Sequence, residues 1–166
     1  MSTITWVVFL FTLLFLISLQ ANRESNDFLT AHNTYRQAVN IPTLTWSSSL
    51  ATDAQNWADF LTTNLEFKHD SNNNNEGENL WMSTSFTYSH TQMVDDWGAE
   101  SQYFIHGIFP NDVSTTGNWE DVGHYTQLVW KNTSEVGCAG SDGSDGNYRL
   151  VCRYSPPGNV VGQQVF

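Results

Sequence analysis

Hydrophobic spacing changes character several times along this chain. From Ile4 to Leu19 nearly every residue is apolar, and nothing before Asn22 is charged except the amino terminus. The core of that stretch, Trp6 to Ile17, spans 12 residues, short for a membrane-spanning helix and suited to the apolar region of a signal peptide. Ala21 offers a small residue for cleavage and Asn22-Arg23-Glu24-Ser25 turns polar, so 1–21 reads as a signal peptide and 22–166 as the mature domain. An uncleaved anchor is the alternative.

Beyond it the spacing is helical. Phe28, Leu29, His32, Tyr35 and Val39 share one helix face, with Ser25 as candidate cap and Pro42 as terminator. Leu50, Ala51, Ala54, Trp57, Ala58 and Leu61 repeat the pattern after a cap at Ser47. A third helix is expected from about Ser89 to Phe104, with Met93, Trp97 and Phe104 on its apolar stripe. Between the second and third lies Asp70-Ser71-Asn72-Asn73-Asn74-Asn75, a polar loop. Tyr125 to Trp130 lacks alternation and reads as a strand covered on both faces. Val136 and Cys138, then Leu150 and Cys152, alternate on either side of the turn-rich Ser141–Asn147, which predicts a hairpin. Helices first and linked strands later predict an α+β domain in which helices cover a sheet.

Charge narrows the partners. With 6 basic and 17 acidic residues the net charge is −11, and the pI is near 4.5. Such a surface is unsuited to nucleic acid or to anionic head groups. The 7 Trp residues separate the chain from a disordered acidic tail. In an oxidising compartment the two cysteines, Cys138 and Cys152, favour one disulfide over free thiols. The acidic turn between them lacks the ligand spacing and terminal Glu of a calcium loop. Asn132-Thr133-Ser134 is a glycosylation sequon.

A few polar residues fall where apolar ones are expected. Glu100 continues the stripe of Met93 and Trp97, so its carboxylate must be paired, bind a metal or face a cleft. His124 opens the apolar 125–130 run, where a structural role is the commoner one. His69 and Glu78 flank the Asn-rich loop. Periodicity does not say whether these four converge.

Two segments carry a family resemblance. Gly123-His124-Tyr125-Thr126-Gln127-Leu128-Val129-Trp130 and Cys152-Arg153-Tyr154-Ser155-Pro156-Pro157-Gly158-Asn159-Val160-Val161-Gly162 resemble, in order, the two signatures of the CAP superfamily. That superfamily comprises cysteine-rich secretory, antigen 5 and pathogenesis-related class 1 proteins. His32-Asn33 with Arg36, Leu44-Thr45-Trp46-Ser47 and Gly77-Glu78-Asn79-Leu80 extend the likeness from about Phe28 onward. It implies an α-β-α sandwich with a central antiparallel sheet. It also implies a cleft lined by two His and two acids, which map to His69, Glu78, Glu100 and His124, with Glu76 a competitor for an acidic position. Many relatives have three disulfides or a cysteine-rich extension acting on ion channels. With one cysteine pair and an end at Phe166, a channel-blocking role is not expected. Arg153 stands where plant relatives that release a C-terminal signalling peptide have Asn, so a peptide hormone is not expected either.

For function the resemblance implies an extracellular, secreted binding protein for a sterol, fatty acid or other small lipid, or a defence or host-contact effector acting on an extracellular protein. Its cleft would hold zinc or another divalent cation weakly. Tyr103, Phe104, Ile108 and Phe109, in the aromatic-rich loop before the first signature, are the candidate lipid contacts, though they do not reproduce the family's sterol-motif spacing. The alternative is a metal-dependent hydrolase using the His/Glu tetrad. No nucleophile stands out for it, so enzyme activity is not the expected reading.

Overall fold

The computed structural model describes residues 3–84 and 87–166. Met1 and Ser2, at the start of the segment read as a signal peptide, lie outside the described residues. The first helix, α1, runs unbroken over Thr3–Ala38. Ser25 is therefore no N-cap: its hydroxyl donates to the Asn22 carbonyl (3.0 Å) within the helix, and the polar Asn22–Ser25 step leaves the backbone helical. Among the described residues no helix is long and apolar enough to cross a membrane.

After β1 (Thr45–Trp46), α2 spans Ser48–Asn64 and buries Leu50, Ala54, Ala58 and Leu61. Leu65, with φ of 56°, ends it in a left-handed cap. The strand β2 (Gly77–Ser83) escaped the hydrophobic pattern because Glu78 and Asn79 sit within it as nearly buried polar residues. Ser89 closes a capping box at the start of α3 (His90–Gly98), and the predicted third helix tightens to 3₁₀ over Ala99–Tyr103. A second 3₁₀ turn, Trp119–Val122, leads into α4 (Gly123–Leu128).

The expected strand over Tyr125–Trp130 is thus mainly the helix α4. A short apolar run buried all round has the same pattern in either conformation. The hairpin is present as β3 (Glu135–Asp142) and β4 (Tyr148–Ser155), with Cys138 opposite Cys152 and joined to it by the disulfide. Strand order is β1-β3-β4-β2, antiparallel except for the parallel β1–β3 pair.

Period-two alternation assigns the two sheet faces. Leu80 and Val151 pack with Ala54, Ala58 and Leu61 of α2. Leu150, Cys152, Tyr154 and Trp81 pack on the other face with residues of α1, α3 and α4, including Phe28, Val94, Trp97 and Leu128. Helices therefore cover both faces, which is the α-β-α sandwich.

Candidate functional site

Glu78 and Arg153 are cross-strand partners on β2 and β4. Alternation puts both on the α2 face. There the Arg153 side chain is 1% exposed and that of Glu78 is 3% exposed. One oxygen of Glu78 lies 3.1 Å from Arg153 Nη2, so its buried charge has an opposite one beside it. The other oxygen accepts from His69 Nδ1 (2.5 Å) and the Asp70 N–H (3.2 Å). The chain before His69 is held because Trp57 donates to the Lys68 carbonyl (3.1 Å) and Arg149 to that of Glu66 (2.9 Å).

The second pair belongs to the opposite helical layer. Glu100, in the 3₁₀ turn, accepts from His124 Nδ1 (2.6 Å) and from the backbone N–H groups of His124 (2.9 Å) and Tyr125 (3.0 Å). One carboxylate thus orients the ring and satisfies two amides at the start of α4. The Trp97 ring stacks on His124, 6.0 Å between centroids at 12°. The far end of α4 is clamped by Arg36, which is fully buried. Its guanidinium donates to the carbonyls of Pro42, Leu128, Trp130 and Thr133 at 2.7–3.0 Å. Burial lowers its pKa to about 10, still well above neutrality.

Behind the site runs a buried hydrogen-bond chain. His32 Nδ1 meets the Phe28 carbonyl (2.8 Å), which only accepts, so Nδ1 carries the proton. Nε2 therefore accepts from the Tyr154 hydroxyl (2.9 Å). That hydroxyl accepts from Asn79 Nδ2 (3.2 Å), which also donates to the His124 carbonyl (3.1 Å).

A cleft of about 690 Å³ opens at the β2 edge of the sheet. His69, Glu76, Glu78 and His124 line it, together with Phe109, Trp119, Pro157 and Val161. Gly77 permits its closeness, since a Cβ there would meet Gln127 Oε1 of α4 at 2.2 Å. Glu100 is not a wall residue but stands behind His124. Glu76 does not contact a histidine; it lies 3.8 Å from Arg153 Nη1. The arrangement is thus two His–carboxylate pairs rather than one four-sided cage. Among the described residues the only three His, Cys, Asp or Glu donors mutually within 4.8 Å are His32, Cys138 and Cys152, and both sulfurs are in the disulfide.

The four candidate lipid contacts separate. Tyr103 and Ile108 are 42% and 40% exposed. Phe104 packs against Tyr125 and Phe166, and the buried Phe109 against Trp119 and Trp130. Asn132 of the sequon is exposed. Sequence reasoning did not find the Arg153–Asp70 pair (2.8 Å) or the carbonyl clamp of Arg36. Arg153 and Asp70 lie 83 positions apart, and only the tertiary fold, which lays the loop before β2 against β4, brings them together.

The family model for the cysteine-rich secretory protein family, CAP, matches residues 29–154. The chain belongs to this family. It is 39% identical over 158 residues to pathogenesis-related protein 1C of Nicotiana tabacum, covering 93% of this chain and 89% of that protein. It is 35% identical to the Golgi-associated plant pathogenesis-related protein 1 of Homo sapiens, covering 85% and 88%. Among solved structures, that of NaASP2 with Zn²⁺ superposes with a TM-score of 0.71 at 25% identity, over 86% of this chain and 85% of that one.

Proposed function

We propose that this chain is a secreted binding protein whose cleft holds a divalent cation, zinc above all, through His69 and His124. The observation that carries the reading is the pairing of each imidazole Nδ1 with a carboxylate, at 2.5 and 2.6 Å. A carboxylate can only accept there, so Nδ1 carries a proton, and in the neutral ring it is Nε2 that has the lone pair for a metal. The similar NaASP2 structure is one with Zn²⁺, which supports the same chemistry. Two imidazoles and solvent make an open, weakly binding set. Among the other wall residues, Phe109, Trp119, Pro157 and Val161 supply apolar surface for an organic ligand beside the ion. Signal cleavage after Ala21 would fall within α1 and leave its 22–38 portion on the domain.

The hydrolase reading is weaker. Glu100 already accepts three N–H groups, and Glu78 is held by His69, Asp70 and Arg153. Both carboxylates are already engaged in orienting protein groups, which leaves neither positioned toward a water. Lipid or sterol binding is favoured by a different observation. Tyr103, Ile105 and Ile108 each expose about two-fifths of their surface within one short loop, which makes an apolar contact for a lipid. An extracellular protein partner fits the pathogenesis-related names of the relatives.

Titration calorimetry of the full domain with zinc tests the main reading. His69→Ala with His124→Ala should abolish binding, and Glu100→Gln should weaken it about 10- to 100-fold. Unchanged zinc affinity in the double variant would overturn the assignment. For the lipid reading, Tyr103→Ser with Ile108→Ser should remove any sterol or fatty acid that co-purifies in native mass spectrometry.

A further inference from the structure

A second cavity, of about 280 Å³, lies between α2 and the Asn-rich loop. Its size is just below the range of about 300 to 1,000 Å³ usual for small-molecule sites, so it has room for one ring rather than a chain. Asp53, Trp57 and Phe60 of α2 line it, at the i, i+4 and i+7 spacing of one helix face, with Asn73, Glu76 and Arg153 from across the gap. The loop is held by its own side chains, the Asn73 amide donating to the Glu76 carbonyl at 2.8 Å. Asn74 and Asn75 take left-handed φ values of 54° and 61°, which Asn tolerates, and Asp70 holds the Asn72 N–H at 2.9 Å.

The polar groups of this cavity are incompletely partnered. Arg153 has Nε and Nη1 without a hydrogen-bond partner although its side chain is 1% exposed; Nη1 stands 3.8 Å from Glu76, beyond hydrogen-bond reach. Glu76 has the Asp53 side chain beside it as a hydrogen-bond partner. Burial raises the Glu76 pKa, and the neighbouring Asp53 carboxylate raises it further against the opposing pull of Arg153.

Charge decides what can fill the space. An anion would be attracted by Arg153 but would face Asp53, Asp70 and Glu76. A cation would meet a guanidinium whose free N–H groups repel it. No three acidic or His donors come within 4.8 Å of one another here, so a metal cage is missing among the described residues. A neutral ligand carrying hydroxyl groups satisfies both signs at once, because each hydroxyl can accept from Arg153 or an Asn amide and donate to a carboxylate. The rings of Trp57 and Phe60, stacked at 4.7 Å and 7°, add an apolar wall for the C–H groups of such a ring.

We infer that this cavity binds a neutral sugar ring. The site is distinct from the His/Glu cleft, although Asn73 and Glu76 stand in the walls of both.

Saturation-transfer NMR on the full domain tests this with the methyl glycosides of glucose, galactose, mannose and N-acetylglucosamine, beside spermidine and citrate as charged probes. Transfer to the ring protons of at least one glycoside is expected. Its affinity should fall at least tenfold in Asp53→Ala and in Phe60→Ala, two positions outside the buried core, with circular dichroism verifying the fold. Trp119→Ala, in the other cleft, should leave it unchanged. Transfer to none of the four glycosides would overturn the inference. So would glycoside binding that neither α2 substitution weakens, or spermidine or citrate binding that these substitutions remove while no glycoside binds.

Discussion

Acid should destabilise this protein through one imidazole. His32 is fully buried, with Nδ1 committed to the Phe28 carbonyl and Nε2 to the Tyr154 hydroxyl. Burial lowers its pKa from 6.5 to about 4; the Phe28 carbonyl opposes that shift, and the charge of Arg36 adds to it. Between those two values the unfolded chain takes up a proton that the folded chain refuses. Stability is therefore full above about pH 6.5 and is lost progressively as the pH falls toward 4. At about 1.4 kcal/mol for each tenfold change in proton affinity, the loss comes to about 3 kcal/mol. Against total stabilities of about 5–15 kcal/mol that is a large fraction. His32→Gln removes the titration while keeping one donor and one acceptor. The assay is urea unfolding followed by Trp fluorescence at steps from pH 7 to pH 4, for both proteins. Carboxylates common to both cancel in the difference. The wild type should lose about 3 kcal/mol relative to His32→Gln over that range. A difference that stays constant within about 1 kcal/mol would refute the reasoning.

Two further outcomes are expected. Arg36→Met removes a buried cation that four carbonyls share, and leaves those at the end of α4 without their donor. The cost should be about 3–5 kcal/mol in denaturant unfolding. Cys138→Ala with Cys152→Ala opens a cross-link between residues 14 apart and should cost about 3 kcal/mol, read from the same unfolding curves. A loss well under 1 kcal/mol in either variant would show that the contact is dispensable.

The layers of the domain were legible in the chain because their signals are local. Leu50, Ala54, Ala58 and Leu61 bury one stripe of α2, and the turn around Gly143–Asn147 folds the cysteine strands together. Boundaries were less legible. Ser25 caps nothing because the polar step after Ala21 is compatible with continued helix. The 125–130 run became α4 because uniform burial erases the difference between a helix and a strand pattern.

Composition and family motifs are thus properties of neighbouring residues, and the sequence alone determines them here: an acidic α+β domain with a cysteine-paired hairpin and the two signatures. What it left open was convergence. His69 meets Glu78 because Trp57 and Arg149 hold the chain before it by the Lys68 and Glu66 carbonyls, and His124 meets Glu100 because a 3₁₀ turn abuts the start of α4. Arg153 enters a wall of the second cavity because β2 and β4 pair in one register. A hydrogen bond or a shared cavity depends on positions within a few ångströms across tens of residues of chain. Only the packing of the layers sets such distances, so only the tertiary structure decided which of the polar residues became partners.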